Sequence, residues 1–116
     1  MRTGELRALR WSYIDREKGV IRLPADIPKE KRAKVIPINH HGKRVLAGLP
    51  RAIPHDFALT YLNEPRVTAG GIKNSFITAC GKIGIPYGRH ETNGITFHDL
   101  RRTAKTNMLS AGMDKV

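Results

Sequence analysis

The segment Trp11–Pro24, WSYIDREKGVIRLP, has the pattern of two short strands joined by a turn. Its ends, WSYID and VIRLP, are rich in aromatic and β-branched residues, and the residues REKG between them are polar. Gly19 can adopt the positive φ that such turns need. A third short strand, KVIPIN, follows after a lysine-rich link, so the sequence predicts a small three-stranded antiparallel sheet.

Helical periodicity appears on both sides of this predicted sheet. Arg2–Leu9 precedes it, and a short helix capped by Asn39 follows it and stops at Pro50. We expect the buried side of this second helix to consist of Val45, Leu46 and Leu49. A third helix should begin near Thr68 and end at Gly84.

The last predicted helix begins after Thr96, which with Asp99 three residues on forms a capping box, and it ends at Gly112. Its apolar stripe, expected to face the core, consists of Leu100, Ala104, Met108 and Ala111. The sequence thus predicts a mixed α+β fold, mostly helical, with the small sheet packed at one edge.

Charge points to a polyanionic partner. The 116 residues include 21 lysines and arginines against 10 acidic residues, a net charge of +11. A polyanionic partner is the more economical explanation of this charge, and a basic surface that is merely solvated is the alternative. The single cysteine, Cys80, excludes an internal disulfide and fits a small core residue in a reducing compartment. Histidine spacing indicates no metal site, and no signal peptide or membrane-length apolar run is present, so we expect a cytoplasmic location.

His98 and Arg101 lie one turn apart at the start of the last predicted helix. Unpaired backbone N–H groups and the helix dipole favour an anion there, and an arginine adds a bidentate fork for phosphate. A histidine can carry a proton near neutral pH. Taken by itself, H-x-x-R is more typical of a capping-region histidine and a solvent-exposed arginine than of a phosphate site.

Three motifs occur together and in order: RTGELRALRW at the start, LPADIPKEKRAKVIPIN in the middle and FHDLRRTA near the end. In this order and spacing they resemble the catalytic domain of phage-type tyrosine recombinases, and the resemblance covers essentially the whole chain. It implies a site-specific DNA recombinase of a phage or mobile element, which breaks and rejoins DNA through a 3′-phosphotyrosyl intermediate.

Family roles carry over where the residues match. Arg2 and Arg101 match the two arginines that bind the non-bridging oxygens of the scissile phosphate. His98 matches the histidine that hydrogen-bonds and transfers protons there. Lys29 matches the lysine that acts as general acid for the departing 5′ oxygen, with Lys31 as the next candidate.

Other basic residues are expected to contact the DNA backbone: Lys31, Arg32, Lys34 and Arg102. A solvated run is the alternative for the lysine-rich link, and Arg102 can instead pair with Asp99. Glu5 matches a family glutamate that holds the segment bearing the first arginine.

The chain departs from the family pattern at both ends. It lacks the N-terminal DNA-binding domain and the segment with the nucleophilic tyrosine, and Tyr13, Tyr61 and Tyr87 match no nucleophile position. We therefore expect residues 1–116 to be one partial catalytic domain, inactive alone, whose parent protein assembles as a homo-oligomer on double-stranded DNA. No cofactor is implied, because the phosphotyrosyl link conserves the energy of the broken bond. The alternatives are a non-catalytic DNA-binding module and an RNA-binding domain. The second alternative is the weaker one, because aromatic residues for base stacking make up only 6% of the chain.

Overall fold

The structure, a computed structural model, describes residues 1–51, 55–60 and 68–113. Backbone contacts divide the chain into two compact units, Met1–Ala69 and Gly70–Val116. Within the described ranges, no helix combines the length and the apolar character needed to cross a membrane.

The first unit contains the predicted sheet. Its strands are β1 (Ile14–Asp15), β2 (Val20–Leu23) and β3 (Lys34–Pro37), antiparallel and in the order β1-β2-β3. Gly19 has a φ of +63° in the turn between β1 and β2, as predicted. The mixed α+β fold is thereby confirmed, with helices α1 (Thr3–Arg7) and α2 (His40–Gly48) flanking the sheet in sequence.

A row of isoleucines joins the three strands to the core. Ile21 on β2 lies opposite Ile14 on β1 and Ile36 on β3. Because directly opposed side chains lie on the same face of a sheet, the three cover one apolar surface. Ile21 belongs to the buried core cluster, and Ile14 and Ile36 pack against it. The other members of the cluster are Leu9, Trp11, Leu23 and Ala58.

Two local expectations for this unit were wrong. Trp11–Tyr13 forms a 3-10 helix rather than a strand, because the backbone N–H of Trp11 bonds to the Asp56 carbonyl, at 2.8 Å, instead of to a neighbouring strand. Val45 on α2 is 62% exposed, whereas Leu46 and Leu49 pack against the core. The cap of α2 is confirmed, since Asn39 Oδ1 accepts a hydrogen bond from Gly42 N at 2.8 Å.

The second unit holds α4 (Phe97–Ser110) and all but the first residue of α3 (Ala69–Lys82). At the end of α3, Gly84 has a φ of +71° and Ile85 N donates to the Cys80 carbonyl at 3.0 Å. Gly112 ends α4 with a φ of +86°. Both glycines therefore stop their helices with the left-handed residue that the sequence predicts. Cys80 is 3% exposed, which confirms it as a core residue.

The apolar stripe of α4 is not buried as predicted. Leu100 and Met108 are 49% and 47% exposed, and Ala104 and Ala111 are exposed as well. Instead, the Phe97 ring makes an edge-to-face contact with Phe76 of α3, with 5.6 Å between ring centroids. This edge-to-face aromatic contact packs the first turn of α4 against α3.

Replacement of a fully buried β2 side chain should destabilise the first unit strongly. Leu23 is 1% exposed, so we expect Leu23→Ala to lower the free energy of unfolding by about 3 kcal/mol. The exposed α2 residue provides the control, because Val45→Ala should change it by less than about 0.5 kcal/mol. Urea denaturation followed by circular dichroism measures both variants. Equal losses would contradict the assignment of Leu23 to the core.

Candidate functional site

Arg2 lies immediately before α1, where its extended backbone (φ −83°, ψ 160°) begins the helix. The carboxylate of Glu5, one turn on, accepts a hydrogen bond from Arg2 N at 2.8 Å. Glu5 is the buried charged residue of the described chain, at 2% exposure. The arginine is thus attached at its backbone to a carboxylate that is itself fixed in the interior.

A charge cluster forms around this carboxylate from Arg2, Glu5, Glu30 and Lys34. Lys34 Nζ, from the first residue of β3, lies 2.7 Å from Glu5 Oε1 and 3.0 Å from Glu30 Oε2. The Arg2 guanidinium forms an ion pair with Glu30 Oε1, and its Nη1 lies 3.8 Å from Glu5 Oε1. Each carboxylate therefore contacts both cations.

The cluster shifts the pKa of three of its members. Burial raises the pKa of Glu5. Hydrogen bonds from Lys34 and from the Arg2 backbone together outweigh this effect, so the net pKa lies below 4.5. Hydrogen bonds from Arg2 and Lys34 lower the pKa of Glu30 to about 2. The two carboxylates raise the pKa of Lys34 above 10.5. At neutral pH both glutamates and the lysine are therefore ionised.

The predicted general acid lies beside this cluster, in the turn Pro28–Lys31. Pro28 is fully buried, Lys31 N donates to the Pro28 carbonyl at 3.0 Å, and Lys31 has a φ of +52°. Lys29 is exposed and has no hydrogen bond or ion pair to any residue that the structure describes. Lys31 Nζ lies 3.5 Å from the Asp26 carbonyl, and Arg32 is exposed.

The α4 helix begins with the predicted capping box. Asp99 Oδ2 accepts hydrogen bonds from Thr96 N at 2.7 Å and Thr96 Oγ1 at 2.9 Å. The hydrogen bond from the Thr96 backbone is the largest cause that lowers the pKa of Asp99. Asp99 Oδ1 also lies 3.6 Å from Arg102 Nη1, which confirms the predicted ion pair.

His98 borders an open concavity of about 520 Å³ at this end of α4, together with Thr96, Asp99 and Arg102. Arg89 and Gly94 of the preceding loop complete its lining. Arg89 was not singled out from the sequence, since a lone arginine in a polar loop carries no spacing signal. Three basic side chains thus lie around one end of the helix.

Arg101 differs from these exposed side chains. It is half-buried, and its Nη1 atom is enclosed without a hydrogen-bond acceptor among the residues that the structure describes. A buried cationic N–H group without a partner is costly, so this atom is suited to an incoming anion.

The predicted site residues therefore fall into two groups. Arg2, Lys29, Lys31, Arg32 and Lys34 belong to the first unit, and His98, Arg101 and Arg102 belong to the second. Lys34, predicted to contact DNA, is half-buried and pairs with the carboxylates of Glu5 and Glu30. Glu30 is a functional candidate that sequence reasoning missed, because nothing local indicates a bond to a residue 28 positions earlier. In the described ranges, no group of histidine, cysteine and carboxylate side chains could hold a metal ion.

Comparison with known proteins gives a consistent result. The sequence profile described as "Phage integrase family" matches residues 1–116. A shufflon-specific DNA recombinase of Escherichia coli is 30% identical over 112 residues, which cover 97% of this chain and 25% of that protein. The prophage integrase IntZ of Escherichia coli (strain K12) is 39% identical over 46 residues, 40% of this chain and 11% of that protein. The chain thus spans about a quarter or less of these relatives, and no solved structure matches it significantly.

Neutralisation of the buried carboxylate should weaken the fold in a pH-dependent way. Because the pKa of Glu5 is lowered by folding, its ionised form stabilises the protein above pH 4.5, and the contribution is lost as the pH falls. We expect Glu5→Gln to cost about 1–3 kcal/mol of unfolding free energy at pH 7. The gap to wild type should shrink below about pH 4.5 in urea titrations at pH 7, 5 and 3.5.

Glu17 in the β1–β2 turn supplies the matched control, since it is exposed. Glu17→Gln should leave the unfolding free energy within about 0.5 kcal/mol of wild type at each pH. A gap for Glu5→Gln that stays constant with pH would contradict the role of its charge.

Proposed function

The chain belongs to the phage integrase family, and we propose that it forms the phosphate-binding part of a site-specific DNA recombinase. Its partner is double-stranded DNA, which the net charge of +11 favours. In this proposal Arg2, Lys29, His98 and Arg101 act on the scissile phosphate. Assembly of the parent protein as a homo-oligomer on DNA stays a prediction.

The single observation that carries the proposal is the enclosed Nη1 atom of Arg101. It lacks an acceptor within the described ranges, and it follows exposed His98 by one turn near the N-terminus of a 14-residue helix. A phosphate oxygen at Nη1 would satisfy this buried donor. A phosphate near His98 would also face the positive end of the helix dipole, whose effect is limited to the first turn of the helix.

The proposed chemistry follows from the charges that a phosphoryl transfer develops. A tyrosine oxygen attacks the phosphorus, the bond from phosphorus to the 5′ oxygen breaks, and the new phosphotyrosyl bond keeps the 3′ strand attached. The guanidinium groups of Arg2 and Arg101 stabilise the charge on the non-bridging oxygens. Lys29 donates a proton to the departing 5′ oxygen, and His98, which hydrogen-bonds the phosphate, accepts the proton that the attacking tyrosine hydroxyl loses.

Exposure supports Lys29 as the general acid. Its side chain is not engaged by the described residues, so it can reach a phosphate without breaking an existing contact. Lys31, the alternative, has its Nζ 3.5 Å from the Asp26 carbonyl. We assign Lys31, Arg32 and Arg102 to the DNA backbone, where such exposed cations release counterions from the duplex.

We expect the 116 residues to bind DNA without cleaving it. Tyr13 packs against the core of the first unit, and the Tyr87 ring contacts Phe76, with 6.0 Å between centroids. Tyr61 lies outside the described residues. Neither described tyrosine is therefore available as the nucleophile.

A second candidate function is a DNA-binding module without catalysis. The pairing of Arg2 with Glu30 and Glu5 favours it, because a guanidinium that contacts two carboxylates is less available to a phosphate. The two functions differ in whether both arginines act on one phosphate. A double mutant can distinguish them.

The test is a salt series of binding to a nonspecific duplex by fluorescence anisotropy. Arg2→Ala and Arg101→Ala should each weaken binding and lower the magnitude of the salt slope by about one. If both contact the same phosphate, their free-energy effects are strongly non-additive in the double mutant. Arg101→Lys should lower affinity with little change of slope, because lysine keeps the charge but loses the fork.

The matched control is Arg22→Ala, an exposed arginine on β2 outside the proposed site. It should reduce affinity less than either site variant. Additive effects of the two site arginines would favour the non-catalytic module. No effect of either one would overturn the proposed phosphate site.

A further inference from the structure

The Glu30 carboxylate contacts both Arg2 and Lys34, as the two non-bridging oxygens of a phosphate could. One carboxylate oxygen pairs with Arg2, and the other lies 3.0 Å from Lys34 Nζ. A phosphodiester likewise carries one negative charge and presents two non-bridging oxygens. An arginine fork binds carboxylates and phosphates with the same geometry.

The two glutamates of the charge cluster differ in how easily they can leave. Glu5 is 2% exposed and also accepts the Arg2 backbone N–H, so it is part of the helix start. The Glu30 side chain is 42% exposed and belongs to a turn rather than to a helix or strand. Solvent-exposed ion pairs are weak, so Glu30 is the member that an incoming anion can displace.

Charge balance supports an exchange at this position. The cluster contains two cations and two anions, so it is neutral with Glu30 in place. Withdrawal of Glu30 leaves Arg2 and Lys34 with only the Glu5 carboxylate, a net charge of +1. A phosphodiester restores neutrality, and no further charge is left unpaired.

We propose that the Glu30 carboxylate is an internal substitute for DNA phosphate at Arg2, and that a bound phosphodiester displaces it. This inference rests on the proposed function, because it takes Arg2 as a phosphate ligand. Glu30 then sets the affinity of Arg2 for the DNA backbone. A weakly bound anion does not displace its carboxylate, whereas the phosphodiester of a bound duplex does.

Displacement of Glu30 also affects Lys29, which precedes it in the same turn. Glu30 is the turn residue that connects Pro28–Lys31 to the charge cluster, and Lys29 directly precedes it. Pro28, at the start of this turn, is fully buried. Release of Glu30 therefore frees the segment that carries the proposed general acid at the moment when phosphate reaches Arg2.

The test is a double-mutant cycle of Glu30→Gln and Arg2→Ala, read as affinity for a nonspecific duplex at about 100 mM salt. Glutamine keeps the size of the side chain but removes its charge. We expect Glu30→Gln to tighten binding about fivefold, because it removes one competing carboxylate that forms two exposed ion pairs. In the Arg2→Ala background, the same change should tighten binding less than about twofold, because the competition no longer exists.

Asp26→Asn is the matched control, since Asp26 lies in the same β2–β3 segment, is exposed, and forms no side-chain hydrogen bond or ion pair with the described residues. It removes the same charge and should tighten binding less than about twofold through the long-range field alone. Urea denaturation of each variant at pH 7 verifies that all are folded. Glu30→Ala repeats the measurement without the residual glutamine acceptor.

The outcomes separate this inference from the proposed function. Equal effects of Glu30→Gln and Asp26→Asn, with an additive cycle, would overturn the inference while a weakening by Arg2→Ala leaves the phosphate role of Arg2 intact. Absence of an Arg2→Ala effect in both Glu30 backgrounds would overturn the phosphate role of Arg2 and the inference with it. A gain that depends on Arg2 supports both.

Discussion

The ionised carboxylate of Glu5 is the constraint on which the first unit's site depends. A buried charge is tolerated only when hydrogen bonds and opposite charges replace the water it has lost. Arg2 N, at 2.8 Å, and Lys34 Nζ, at 2.7 Å, provide these partners. The same contacts tie the start of α1 to the first residue of β3, so the side chain of Arg2 is held beside the sheet.

This arrangement explains why the basic side chains of the site are already paired with carboxylates. Arg2 and Lys34 need anions around them to be packed near the interior, and Glu5 and Glu30 supply these. The chain as a whole is strongly cationic, but at this point its charges cancel. Long-range attraction for a polyanion and local neutrality coexist, because the first depends on net charge and the second on contacts within about 4 Å.

The second unit also balances basic side chains with a carboxylate, but it leaves one arginine nitrogen without an acceptor among the described residues. The start of α4 is stabilised by Asp99, whose carboxylate accepts from Thr96 and pairs with Arg102. Basic side chains then line the concavity beside it, and Arg101 keeps one nitrogen without an acceptor in the described ranges. The aromatic contact of Phe97 with Phe76 packs the first turn of α4 against α3, whereas Leu100 and Met108 of the predicted stripe are exposed.

The sequence by itself determined the features that act over a few residues. The three short strands, the Asn39 and Thr96 caps and the stops at Gly84 and Gly112 follow from local periodicity and backbone sterics. The structure contains all of them except the Trp11–Tyr13 part of the first strand.

Only the tertiary structure decided which charges meet. Lys34 reaches Glu5 across 29 residues, and Glu30 pairs with Arg2, which is similarly distant in sequence. The exposure of Val45 and Leu100 was also beyond the sequence, since periodicity marks an apolar side without showing what covers it. Such pairings depend on how distant segments pack, and no spacing rule encodes that.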